Sequence, residues 1–460
     1  MTREAGWGDF LAAGRGPRLA LICLGVWLNA ADSLVTSTIM PSIGRDLGGY
    51  AFFSWATAAY MLGSILSGAT AARVSAQIGL RNTMTAAGLV TVGGCAVSAL
   101  APDMIVLIAG RAVQGLGAGW IVGACYAAIG SMFPERHLPR IFAFLTSVWG
   151  IATVLGPLVG GLFAHQWRDV FWAFGAQGLA FVLAARLLVR PIPPPPLTRV
   201  PWDQLAVVVL GVGLIGAADL TAGALEPVAL SALSVAAFAV AMRMTPRRGQ
   251  PLFPRQAGDL RSVVGAGYAA FFLMSAASMG FGVYAPALLQ KLYGLSPLAA
   301  GYAAGLEALG WTVAALAVAG LRGRAQDLCL RGGSLAILAS LVCLCGVMKS
   351  GPLALPLVAG ALMGAGFGLS YGFTSQRILA SAPPAERELA SAGIPTVRLI
   401  GNAAGACLAG AVANLLGFAR GVSWPTAQGV AVWIFVIAVP LAAIGVAASW
   451  RVVRTPEMAA

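Results

Sequence analysis

Few groups in this chain can do chemistry, and three of them stand where charge is expensive: Asp32, Arg111 and Glu307 each interrupt a long apolar run. At the helical rise of 1.5 Å per residue, Asp32 falls about 12 Å from the outer end of its run, Arg111 about 10 Å and Glu307 about 14 Å. An ionisable group at that depth costs roughly 2.5–3.5 kcal/mol on insertion scales, which makes function its default reading. Burial favours the protonated form of a carboxyl, and a nearby cation favours the ionised form. Asp32 and Arg111 share a depth and are therefore the candidates for reversible proton coupling; a permanent ion pair is the competing expectation. Asn29 lies about one turn before Asp32, and Gln114 one turn after Arg111. Glu307 has Trp311 four residues on, and an acid beside an aromatic face suits a lipophilic cation through charge and ring quadrupole together. A second proton site and a buried neutral acid are its alternatives. Arg398 and Asn402 share one face of a later run and, with Trp149 and Tyr284, complete the candidate substrate cavity.

Other chemistries lack material. Two histidines, His137 and His165, and Cys343-x-Cys345 without a partner pair supply no zinc site, so no metal and no cofactor is expected. No Gly-x4-Gly-Lys-Ser/Thr loop is present to bind ATP, and an enzyme would need clustered His, Asp or Ser groups. The net charge of +13 sits in short loops rather than on a folded basic patch, which argues against nucleic acid.

The elements that hold these residues follow from composition. Charged residues are 10% of 460, hydrophobic residues are 59%, and mean hydropathy is +0.84. A single soluble core stops growing near ~250–300 residues, whereas roughly 20 apolar residues cross a bilayer as a helix. The apolar runs predict an all-α polytopic membrane protein with about fourteen spans: 19–40, 51–72, 84–101, 104–130, 141–164, 170–188, 204–222, 226–244, 263–290, 298–320, 332–349, 352–374, 391–416 and 428–450. With the N-terminus inside, 22 of the 29 Lys and Arg residues fall inward and five outward, so both termini are expected in the cytoplasm. Arg190 and the prolines through Pro196 end the sixth run as an extended spacer. The expected division is an N-terminal six-helix bundle (1–188), linkers with a two-helix central insert (189–262), a C-terminal six-helix bundle (263–450) and a tail (451–460). Two such bundles meet at a cavity near the bilayer midplane. Trp167, Trp172, Trp202, Trp424 and Trp450 are expected as interfacial anchors, and Asp219 as an interfacial charge.

Several motifs resemble the major facilitator superfamily, in particular its fourteen-span drug:proton antiporters. Asp32–Gly48 reads DSLVTSTIMPSIGRDLG, like the family's first-helix pattern; Trp55 and Tyr60 match the second helix, and Leu107–Gly119 reads LIAGRAVQGLGAG, like the fourth. Trp149-Gly150, Gly156-Pro157 and Gly160-Gly161 resemble the fifth-helix antiporter motif, with Trp167-Arg168 in the loop beyond. Tyr284–Gln290 and Gly294–Gly301 resemble the segment after the insert. The loop between the second and third helices keeps Gly79 and Arg81 but has Ala76 where the family carries an Asp that latches the outward-open state. The resemblance implies proton-driven export of a lipophilic, cationic small molecule across the cytoplasmic (inner or plasma) membrane by a monomer whose partners are substrate, protons and lipid. A facilitator, an importer, or an exporter of one endogenous metabolite, lipid or siderophore is the alternative.

Overall fold

The computed structural model describes residues 15–133, 137–191, 201–219, 226–244 and 251–454, and among these it is helical without strands. Lipid offers no hydrogen bonds, so an apolar chain must satisfy its backbone internally, and a helix does so within one segment. The first six helices are α1 (Gly16–Leu47), α2 (Trp55–Ile78), α3 (Leu80–Ala99), α4 (Met104–Met132), α5 (Leu138–Leu162) and α6 (Trp167–Leu188). Then come α7 (Trp202–Asp219) and α8 (Glu226–Arg243), followed by α9 (Val263–Tyr293), α10 (Pro297–Val318), α11 (Arg324–Val347), α12 (Ala354–Ser381) and α13 (Arg387–Leu415). The last predicted run is two pieces, α14 (Trp424–Val436) and α15 (Ala438–Arg454), broken at Ile437. Starts are marked by capping side chains: Asp103, Ser262, Ser296 and Ser423 each accept a backbone N–H three residues on.

A helix therefore stands at each of the fourteen predicted runs, but nine segments among the described residues are long and apolar enough on their own to cross a bilayer. The shortfall is instructive. Two of the segments that miss the criterion, α2 and α3, are rich in Gly, Ala, Ser and Thr and are wrapped by α4, so their composition answers to packing and not to lipid. The proline run 193–196, residues 245–250 and the Asp219 side chain lie outside the described residues.

The helices pack as two sets that share one continuous apolar core where they meet. In the first, α4 packs on α2 and α3, α3 on α6, and α1 on α4, α5 and α6. In the second, α12 packs on α10 and α11, while α9 packs on α13, α15 and α10. The sets meet along two seams, α5 on α10 and α2 on α13. The α7–α8 hairpin lies over the second seam, with α7 against α13. Gln204 locks that hairpin: its Nε2 donates to the Ala241 carbonyl at 2.7 Å, and its Oε1 accepts from the Leu252 N–H at 2.8 Å.

At one end the sets are sealed together. Tyr50 and Phe53, after α1, meet Phe418 at ring-centroid distances of 5.7 and 5.3 Å, and Phe53 lies 5.4 Å from Tyr284 of α9. Asn414 Nδ2 donates to the Ala51 carbonyl at 2.7 Å across the same junction. Trp167 belongs to this end but is no lipid anchor: it is buried, and its indole N–H donates to Asp46 at 3.0 Å. Trp172, Trp202 and Trp424 are exposed, as an anchor requires.

Candidate functional site

The first centre is an ion pair inside the first bundle. Gly110 and Gly117 bring α4 onto α3, where an added Cβ would lie 2.7 Å from the Ser98 N and 2.6 Å from the Thr91 N. Gly115 does the same toward α2, with Tyr60 backbone carbon at 2.7 Å. This close approach carries Arg111, 2% exposed, into contact with neighbouring helices. One Arg111 terminal nitrogen donates to both Asp32 carboxylate oxygens at 2.8 Å. The same nitrogen donates to Gln114 Oε1 at 2.9 Å, and Nε donates to the Ala56 carbonyl at 3.4 Å. The guanidinium carbon lies 4.4 Å from the Tyr60 ring centre. Gln114 Nε2 in turn donates to Cys95 Sγ at 3.0 Å. Asn29, Asp32, Tyr60, Cys95 and Gln114 line one small pocket there.

The second centre faces the first bundle from the second. Glu307 and Trp311 lie on α10, Arg398 and Asn402 on α13, and all four are half-buried. The Arg398 guanidinium carbon is 5.3 Å from the Trp311 ring centre and 5.6 Å from that of Tyr371 on α12. Phe367 stacks on Trp311 at 5.0 Å with 9° between planes. The position of Glu307 has a packing cause: α12 crosses its backbone at Gly364, where any side chain would strike the Glu307 carbonyl. From the other bundle, Tyr126 of α4 is 52% exposed and stands within electrostatic range of Tyr371 and Arg398. Trp149, 41% exposed, is one turn from Thr153 on the α5 face that meets Gly305 of α10. The antiparallel register of that seam, with Gly161 at Leu298 and Pro157 at Gly305, places Trp149 near the level of Trp311. Tyr126 and Trp149 thus stand exposed away from the sealed end, where the ring and hydrogen-bond contacts between the bundles lie.

Gly156, Gly160 and Gly161 act through geometry. A Cβ at 156 would lie 2.7 Å from that of Leu34, one at 160 2.7 Å from that of Thr38, and one at 161 2.6 Å from that of Leu298. The motif, with Pro157 inside the helix, fits α5 against α1 and α10. Gly79 has φ +78 and turns the chain directly from α2 into α3. Arg81 opens α3, and its Nε has no hydrogen-bond partner among the described residues. Ala76 beside it is buried.

One expected cavity residue is elsewhere. Tyr284 is 1% exposed and forms part of the aromatic seal, because the face of α9 that carries it turns toward Phe53 and Phe418. Trp27, another deep tryptophan, ties α1 to α6 through a 2.7 Å bond to Gln177. Nothing in the sequence marks Cys95, Tyr126, Phe367 or Tyr371 as partners of the site, since they come from three other helices, α3, α4 and α12, and each is an ordinary apolar-run residue. Arg377, near the C-terminal end of α12, pairs with Asp327 in the first turn of α11 and carries no local signal either.

Two helical bundles joined along two seams, with a buried ion pair inside the first, define a polytopic membrane transporter. The chain belongs to the Major Facilitator Superfamily, whose family model matches residues 22–405. It is 32% identical to a probable multidrug-efflux transporter of Mycobacterium tuberculosis, over 98% of this chain and 97% of that one. Its fold is similar to that of a D-xylose–proton symporter (TM-score 0.66, 16% identity, 95% and 97% of the two chains covered). It is equally similar to a nucleoside transporter (TM-score 0.67, 12% identity, 94% and 100% covered). These relatives transport; none is an enzyme, and neither is this chain.

Proposed function

We propose that this protein is a proton-coupled antiporter that exports lipophilic small molecules, cations among them, across the cytoplasmic membrane. It works as a monomer of two six-helix bundles and a two-helix insert, with both termini and the open side of the cavity in the cytoplasm. The observation that carries the reading is the double set of partners around Arg111. A proton on Asp32 removes the carboxylate charge, yet Arg111 still has Gln114, the Ala56 carbonyl and the Tyr60 ring. Breaking a buried ion pair by removing one partner ordinarily costs about 3–5 kcal/mol, because a charge is left alone. Here the second set of partners offsets that cost, so the pair can open and close. The membrane potential contributes about 2.3 kcal/mol per charge per 100 mV to such a cycle. The likeness to a probable multidrug-efflux transporter supports the choice of substrate class.

The test is purified protein in liposomes with a pH dye inside. Substrate added outside should enter in exchange for lumenal protons, so that the internal pH rises, and an imposed proton gradient should drive accumulation. Asp32→Asn should abolish the accumulation while ligand binding stays within about tenfold, or ~1.4 kcal/mol. Continued accumulation against a gradient by that variant would remove Asp32 from the coupling step.

A further inference from the structure

We propose that the second-bundle wall of the cavity is a receptor for amphoteric aromatic molecules. Glu307 takes the ligand's cationic group, Arg398 takes its anionic group, and the aromatic core lies against Trp311 and Tyr371. This rests on the transporter reading above and narrows its substrate class.

The argument starts from two charges that do not neutralise each other by contact. Asp32, Asp46, Asp327 and Glu386 each have an arginine within ion-pair distance. Glu307 has no ion pair or hydrogen bond among the described residues, although Arg398 acts on it electrostatically. Among the described residues Arg398 is held by ring faces alone, over Trp311 and Tyr371. A ring face steadies a guanidinium but accepts none of the five N–H groups in its plane, so the donors of Arg398 remain free for an oxygen acid. The shelf beneath is rigid, because Trp311 is stacked on Phe367 and Tyr371 lies 4.9 Å from Phe271. Both side chains are half-buried, and Tyr126 of the first bundle stands within electrostatic range of Arg398.

A ligand carrying only a positive charge gains Glu307 but enters the repulsive field of Arg398. A ligand carrying only a negative charge meets the reverse, and a neutral one makes a charge contact with neither group. A molecule with both charges satisfies the two at once, so attraction and rejection point to the same class. A cavity wall for simple cations would need the acid without the arginine.

The experiment uses one planar two-ring scaffold bearing an ammonium group, a carboxylate, both or neither, with binding to the purified protein at pH 7 measured by scintillation proximity. The zwitterion should bind at least about tenfold more tightly than either singly charged form, the scale of ~1.4 kcal/mol. Arg398→Gln should erase the preference for zwitterion over cation and raise cation affinity; Glu307→Gln should erase the preference for zwitterion over anion. Arg398→Lys, which keeps the charge, should retain most of the preference and shows that the site still folds. A cation that binds the wild type as well as the zwitterion does, or an unchanged ratio in Arg398→Gln, would overturn the proposal. Proton release, measured with the same ligands in liposomes, separates the two levels. Selective binding without proton release leaves the receptor standing and removes the antiport; proton release with no preference among the charged forms does the opposite.

Discussion

Asp32 and Arg111 show how much a single residue can do once its partners are known. One guanidinium serves a carboxylate, an amide oxygen, a backbone carbonyl and a ring face together. That combination requires a planar group with several donors. Arg111→Lys keeps the charge but supplies a single point of contact, so it should reach Asp32 and lose the rest. Proton-driven uptake in proteoliposomes should fall by at least about tenfold while the protein stays folded, the scale on which charge-assisted bonds act. Uptake at the wild-type rate would mean that charge alone suffices there. The shared depth of the pair was legible from helical rise, a constant of the element. That Tyr60 and Cys95 join them was not, because no local pattern says which helix faces which.

At the scale of elements, small residues decide the distances between helices. An added Cβ at Gly115 would lie 2.7 Å from a Tyr60 backbone carbon, and α10 and α12 cross just as closely at Gly310 and Gly364. In lipid there is little hydrophobic force between helices, so such close packing carries the association. Gly115→Val should push α2 off α4 and cost about 1–3 kcal/mol, the usual range for overpacking, or more where backbone is struck. It should also displace Tyr60 from Arg111. The melting temperature in detergent should fall, further for Val than for Ala; an unchanged value would show slack in the crossing. The element boundaries were readable within a few residues in most cases. The break at Ile437 falls just before Pro440, which has no N–H for the Val436 carbonyl, but the apolar run continues through it; α11 starts as early as Arg324 because its first turns carry Arg324, Asp327 and Arg331, which a reading of apolar runs leaves out.

At the scale of the whole molecule, the bundles touch through Tyr50, Ala51 and Phe53 on one side and Tyr284, Asn414 and Phe418 on the other. An alternating transporter must part this seal to release substrate. In a cysteine-free background, cysteines placed at Ala51 and Asn414 should be bridged in intact cells by a short, membrane-impermeant bifunctional thiol reagent. Bridging should stop transport, and a reagent with a reducible linker should restore it when cleaved. Reaction only after the membrane is broken would reverse the proposed orientation; bridging without loss of transport would mean the seal does not open.

What the sequence determined by itself is what depends on local physics. Apolar runs of spanning length had to be helices, because lipid leaves the backbone no other partner. Charge inside those runs had to be functional or paired, because burial is costly. The motifs from Asp32 to Gly161 were enough to suggest the family to which the chain belongs. The tertiary structure decided which faces meet, since rotation about a helix axis leaves its composition unchanged while exchanging every neighbour. It turned Tyr284 from the cavity into the seal, gave Asp32 its arginine, and left Glu307 on α10 and Arg398 on α13, each without an ion-pair partner among the described residues.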